Sequence, residues 1–132
     1  MSSYLENKIL NHILRGENYT PPSTVYVGLV SGTAVDADLE GGDLTNEITG
    51  YEGDRKAITF TSASQVSDKG QTANSNEIDF NGMPATTVAY SVVCDSATGG
   101  NILYWLPANN NKTTNADDTF RLRVADVTIT QD

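Results

Sequence analysis

The sequence predicts a mainly β fold: a β-sandwich of six to seven antiparallel strands with one short N-terminal helix. Three observations predict it. Val, Ile, Tyr and Thr recur in short runs whose apolar positions alternate, the period of a half-buried strand. Gly, Asn, Asp and Ser punctuate those runs as turn residues do. A single stretch near the N-terminus has its apolar residues at helical spacing. Two packed antiparallel sheets with the helix at one end is the simplest way to bury such runs. No Pro/Gly-rich linker divides the chain, so residues 1–132 read as one domain.

The helix covers about residues 4–15. Ser3 stands where a cap belongs, with Glu6 three positions on, and Gly16 suits the C-terminal cap. Leu5, Ile9 and Ile13 fall four apart on one face, which Leu10 and Leu14 widen. A helix this short is marginal alone in water, so its apolar face must dock, either on this domain's sheet or on a neighbouring subunit. Thr20-Pro-Pro-Ser23 is an extended connector. Thr24 to Val30 is the first strand; both its faces carry apolar residues, as in a strand covered on two sides.

Residues 31–54 form a long acidic stretch with Asp36, Asp38, Glu40, Asp43, Glu47, Glu52 and Asp54. It reads as a surface loop with a weak edge strand near Glu47 to Tyr51, and loops of this length are often functional. Its acids lack the ligand spacing of an EF-hand. Arg55 to Thr61 is the next strand, with Ile58 and Phe60 on one face. Ser62 to Asn74 is polar, with a turn near Asp68 to Gly70. Asn76 to Phe80 is a short strand ended by the turn dipeptide Asn81-Gly82.

The strongest hairpin signal follows. Thr86 to Val93 and Asn101 to Leu106 alternate on either side of Ala97-Thr98-Gly99-Gly100. Strict alternation puts Val88, Tyr90 and Val92 on one side, and Ile102, Tyr104 and Leu106 on one side of the partner strand. Trp105 then points the other way, over a second apolar layer or into an interface. Asn109 to Asn115 is a polar loop. Thr119 to Thr130 is one long strand or two, with a change of phase near Ala125-Asp126 that fits a bulge or bend.

Composition excludes several functions. Acidic residues number 17 against 8 basic, a net charge of -9, and no basic stripe exists to meet a phosphate backbone. Direct nucleic-acid binding is therefore not expected. One cysteine excludes an intrachain disulfide and a Cys-rich metal site. No basic-then-apolar leader opens the chain, and no apolar run nears the roughly 20 residues a membrane helix needs. The expectation is a product that is cytoplasmic when made, with no membrane partner.

No chemistry assembles from the residue types either. The only histidine, His12, sits in the helix, and no Gly-x-Ser-x-Gly elbow is present. Cys94 lies in a strand with no basic neighbour in sequence, the setting of an inert thiol. Glu77 and Asp79 share a strand face without an aromatic platform. Gly99-Gly100 opens no helix and lacks a phosphate-loop pattern. Catalytic residues, metal ligands and cofactors are all expected to be none.

An ordered set of segments carries a resemblance: Tyr4-Leu-Glu-Asn-Lys-Ile-Leu-Asn-His12, Arg15-Gly16, Tyr19-Thr-Pro-Pro, Val25-Tyr-Val-Gly-Leu29, Arg55 with Ile58-Thr-Phe60, Gly99-Gly-Asn-Ile-Leu-Tyr104 and Asp118-Thr-Phe-Arg121. The chain resembles a family of small tailed-bacteriophage structural proteins, labelled tail fibre, minor tail or head decoration proteins. It departs from that pattern at Tyr51-Glu-Gly-Asp-Arg55, which enlarges the acidic stretch, and at Cys94-Asp-Ser96. The resemblance implies a virion part with no enzyme activity, on the capsid exterior or in the tail. The first expectation is a capsid decoration (cement) protein that bridges capsomers, with the major capsid protein and copies of itself, as dimer or trimer, for partners. The alternative is a small tail or tail-tip component bound to other tail proteins. A carbohydrate-binding module is a remote third. Candidate interface residues are Leu5, Ile9, Ile13, Tyr26 and Trp105, with the 31–54 and 109–116 loops as further contact elements.

Overall fold

The computed structural model describes residues 1–132. Two helices, α1 (Ser3–Arg15) and α2 (Asp36–Gly41), accompany nine strands: β1 (Val25–Ser31), β2 (Lys56–Ile58), β3 (Ser64–Val66), β4 (Lys69–Ala73), β5 (Ile78–Met83), β6 (Thr86–Cys94), β7 (Ile102–Thr114), β8 (Asp118–Leu122) and β9 (Thr128–Gln131). The strands form three open sheets: a four-stranded one in the order β2-β1-β6-β7, a three-stranded one in the order β3-β4-β9, and the pair β5-β8. All the ladders are antiparallel. The mainly β class stands, but the two-sheet sandwich of six to seven strands does not.

Two segments account for the difference. The polar stretch Ser62 to Asn74, where the sequence predicts a turn but no strand, folds into the β3–β4 hairpin; its turn is Ser67-Asp68, both at positive φ, one residue before the expected Asp68 to Gly70. The C-terminal segment takes the second of its two expected forms, two strands broken around Ala125-Asp126, but the two go to different sheets: β8 pairs with β5 while β9 pairs with β4. Asn74 fixes that break. It is fully buried; its Oδ1 accepts from the Val127 N–H at 2.8 Å, and its Nδ2 donates to the C=O groups of Asn76 and Arg123 at 2.8 and 2.9 Å. Every polar atom of the amide is thus satisfied, as burial requires.

The four-stranded sheet is covered on both faces, as the doubly apolar β1 predicts. Val27, Leu29 and Val93 share one core with Phe80, Ile78 and Leu122 of the β5-β8 pair. Val30, Val92 and Cys94 share a second core with Leu39 of α2. Adjacent residues in a strand face opposite ways, so Leu29/Val30 and Val92/Val93 divide the two layers.

Two bulges overturn the expected facing. The β6–β7 register shifts between Val88 and Tyr90, where Val88 pairs with Lys112 but Tyr90 with Pro107, and again between Val93 and Cys94. Val88 therefore joins the first core while Val92 lies in the second, with Tyr90 packed against it. Ile102 lies in the second core with Trp105 against it, whereas Tyr104 and Leu106 pack on the first. At the first shift Ala89 stands opposite residues 108–111, and it is also one extra residue against β1, where Ser31 pairs with Val88 but Val30 with Tyr90; an odd excess flips every side chain beyond it. The asparagine-rich segment is not a free loop either; β7 runs through it to Thr114. Asn81-Gly82 lies within β5 as an irregularity, not at its end.

The acidic segment is likewise more structured than a loop. It contains α2 and a single bridge from Val30 to Glu47, and it buries Ala34, Leu39 and Ile48. At the N-terminus the helix cap is Ser2, one residue before the expected Ser3. Ser2 accepts from the Leu5 N–H at 3.3 Å, donates its own N–H to Leu103 C=O at 3.0 Å, and donates its hydroxyl to Ile102 C=O. One fully buried serine thus caps the helix and ties it to β7.

Candidate interaction surface

Helix α1 is anchored at one end and free at the other. Its first turn is held by Ser2 and by Leu5, which is 5% exposed. Its last two turns carry the largest exposed aliphatics of the protein: Leu10 at 54%, Ile13 at 70% and Leu14 at 75%. On a helical projection these three form one stripe, with Glu6 inside it and Asn7 at its edge. Burying aliphatic side chains stabilises by about 1.5–3 kcal/mol each, so this stripe is stabilisation the isolated chain does not collect. Gly16, at φ 68°, ends the helix in the left-handed conformation, and its N–H donates to Asn11 C=O. The His12 Nδ1 lies 2.8 Å from Glu17 C=O, and Arg15 pairs with Glu17 at 3.0 Å. These contacts keep the free end helical and leave His12 as a capping side chain.

A second feature holds the acidic segment down. The buried Arg55 guanidinium meets Glu47 through two bonds, Nε to Oε1 at 2.5 Å and Nη2 to Oε2 at 2.8 Å. Its Nη1 donates to the C=O groups of Ser96 and Gly99, at 2.9 and 2.6 Å. One side chain therefore clamps the 32–54 segment and the β6–β7 turn to the edge of the sheet. The bidentate geometry, with four of the five guanidinium N–H groups bonded, is what lets a charge pair survive burial. Gly28 of β1 lies beneath the pair; a Cβ there would sit 2.7 Å from Glu47 Oε1 and 3.3 Å from the Arg55 stem.

The five residues expected at an interface are not presented together. Leu5 is interior, and Ile9, Tyr26 and Trp105 are half-buried, while Ile13 is open to solvent. Trp105 packs on the second core and meets Tyr90 edge to face at 6.3 Å, and its indole N–H is buried without an acceptor. Tyr90 in turn donates to Asp36 at 2.9 Å, a bond that raises its pKa. The exposed members of the helical face, Leu10 and Leu14, are legible from spacing. Their exposure is not, because nothing in the sequence says that full burial stops at Leu5.

The titratable groups are arranged for structure. Cys94 is buried, and desolvation pushes its thiol up to about 12, far from the thiolate a nucleophile needs. Asp79 pairs with Arg121 at 2.6 and 3.0 Å, and Glu77 lies 3.5 Å from the same Arg121 Nε. The arginine holds the Asp79 carboxyl below its usual range, the opposite of what a general acid requires. Tyr51 is raised to about 12 by burial against the first core. An open cleft of about 700 Å³ lies where β7 diverges from β6, lined by Pro107, Asn109, Lys112, Phe120 and Arg121 among others. Neither Cys94 nor His12 lines it. No helix is long and apolar enough to cross a membrane.

Comparison with known proteins finds one family. A family model described as podophage GP4 fiber I protein gp80 matches residues 1–130. Among curated proteins, none matches the chain.

Proposed function

We propose a role from one premise: the chain belongs to the family of the podophage GP4 fiber I protein gp80. It is a bacteriophage structural protein of fibre type, without catalytic motifs. Our reading is that it is a small tail-side component of the virion that attaches to another tail protein through the outer stripe of α1. The family's description as a fibre protein favours this alternative over capsid decoration, and with it other tail proteins over the major capsid protein as partner. The observation that carries the attachment is the exposed Leu10–Ile13–Leu14 stripe on a helix capped at both ends, whose only buried residue is Leu5 of its first turn. An amphipathic helix laid in a partner's groove is a recurrent way to use such a stripe.

The test combines location and attachment. Particles imaged at side-chain resolution should show this chain's density at the tail; density on the capsid lattice overturns the placement. A Leu10→Asp/Leu14→Asp variant alters exposed positions only and should fold normally, since surface changes cost within about 0.5 kcal/mol. Its incorporation into particles should fall at least about tenfold, the equivalent of about 1.4 kcal/mol. Undiminished incorporation overturns the attachment through α1.

A further inference from the structure

The β3–β4 hairpin is an arm. Every residue from Thr61 to Lys69 is exposed, and β3 pairs only with β4, leaving its other edge open. The ladder runs Ser64 to Gln71, Gln65 to Gly70 and Val66 to Lys69, closed by the two-residue turn Ser67-Asp68 with both φ positive. In a hairpin with so short a turn the residues beside it bond to each other, and bonding alternates from there. The N–H and C=O of Gln65 therefore point away from β4, towards the open edge.

Proteins guard such edges with charges, prolines or bulges, because an open edge is a template for another strand. Here the guard is missing. No residue from Ala57 to Ser67 carries a charge, and none is proline. Val66, 45% exposed, adds an apolar side chain at the edge. The contrast with the rest of the chain is large: the net charge is -9, so most approaches between two copies bring like charges together. The arm is a place where two copies can meet without that penalty.

We infer that two copies of this chain pair through β3, edge to edge and antiparallel about a two-fold axis near Gln65. An antiparallel edge is self-complementary under a two-fold axis, the commonest symmetry of homo-oligomers. The register also suits the charges. It carries Asp68 of each copy towards the uncharged Thr61–Ala63 stretch of the other, not towards Asp68. The contact is small, so it holds when copies are concentrated or tethered side by side. It uses a surface separate from α1 and does not depend on where the protein sits in the particle.

Sedimentation velocity over a concentration series of the purified chain tests the pairing. The wild type should shift from monomer to dimer as concentration rises. Gln65→Pro removes the outward N–H while leaving the β3–β4 ladder intact; Val66→Lys places a charge on the edge. Each should weaken dimerisation at least about tenfold, again about 1.4 kcal/mol. A wild type that stays monomeric throughout, or a dimer that survives both substitutions, overturns the inference. Gln65→Cys gives a readout that needs no proline. The native Cys94 is buried, so mild oxidation should cross-link Gln65→Cys into a dimer and leave a control Val124→Cys monomeric. Equal cross-linking of the two overturns the two-fold placement at Gln65.

Discussion

Two polar stretches flank β2, and they meet opposite fates. Residues 32–55, dense with acids, fold back onto the sheet and bury Ala34, Leu39 and Ile48. Residues 61–69, uncharged up to Asp68, stand out in solvent as an arm. Charge density would suggest the reverse. What decides is the supply of anchors. The acidic segment owns three apolar residues spaced to reach a core, and one carboxylate, Glu47, placed to meet the buried Arg55. The arm has nothing apolar beyond Ala63 and Val66, so it cannot recover the entropy of packing and keeps only its ladder to β4. Anchored segments become part of the fold; unanchored ones are left for partners.

The comparison breaks hardest at Arg55. Arg55→Ala removes both bonds to Glu47 and both to the 95–101 turn, and strands a carboxylate at the sheet. Removing one partner of a buried pair costs about 3–5 kcal/mol. Thermal and denaturant unfolding should show that loss, and hydrogen exchange should show residues 36–48 losing protection ahead of the arm. If stability stays within 1 kcal/mol or so of wild type, Arg55 is not the clamp and the apolar anchors alone hold the segment.

Gly28 sharpens the same point at smaller scale. Gly28→Ala places a methyl 2.7 Å from Glu47 Oε1, against a side chain that Arg55 prevents from moving. Overpacking of this kind costs about 1–3 kcal/mol. In the Arg55→Ala background Glu47 can swing aside, and the same substitution should cost much less. The shortfall measured in a double-mutant cycle is the strength with which the clamp fixes Glu47. Additive effects would place the strain in the strand backbone instead.

These positions also mark what the sequence discloses. The helix, β1 and the Gly99-Gly100 turn are legible because each rests on local spacing: four-residue steps from Leu5 to Ile13, alternation from Val25 to Val30, and two glycines that take positive φ. The bulges at Val88/Tyr90 and Val93/Cys94 are not legible. A slip by an odd number of residues leaves composition almost unchanged while reversing which face is buried. The three-sheet arrangement depends on Asn74 bonding to residues around 123–127, a long-range contact that no local pattern announces. Of the candidate surface, the apolar face of α1 could be read, but not how far along it the sheet extends. The clamp left one trace: a glycine in the middle of a strand, Gly28, signals a close approach from outside the ladder.

The smallest effect belongs to the arm. Ser67 and Asp68 hold φ of 50° and 65°, the left-handed region, which glycine enters freely, Asn and Asp at some cost and other L residues at more. Asp68→Gly relieves it at the second turn position, where type I′ hairpins favour glycine; the relief, about 1–2 kcal/mol for an L residue, is partly offset by the greater freedom glycine has in the unfolded chain, about 0.5–1 kcal/mol, which leaves a gain below about 1 kcal/mol. Because the arm rests on its own ladder, the gain should appear as slower exchange of the β3–β4 amides, with the exchange of core amides in β1 and β6 unchanged. A matching gain in the core would mean that the arm and the sheet unfold as one unit. The anchored and unanchored stretches would then differ in exposure but not in stability.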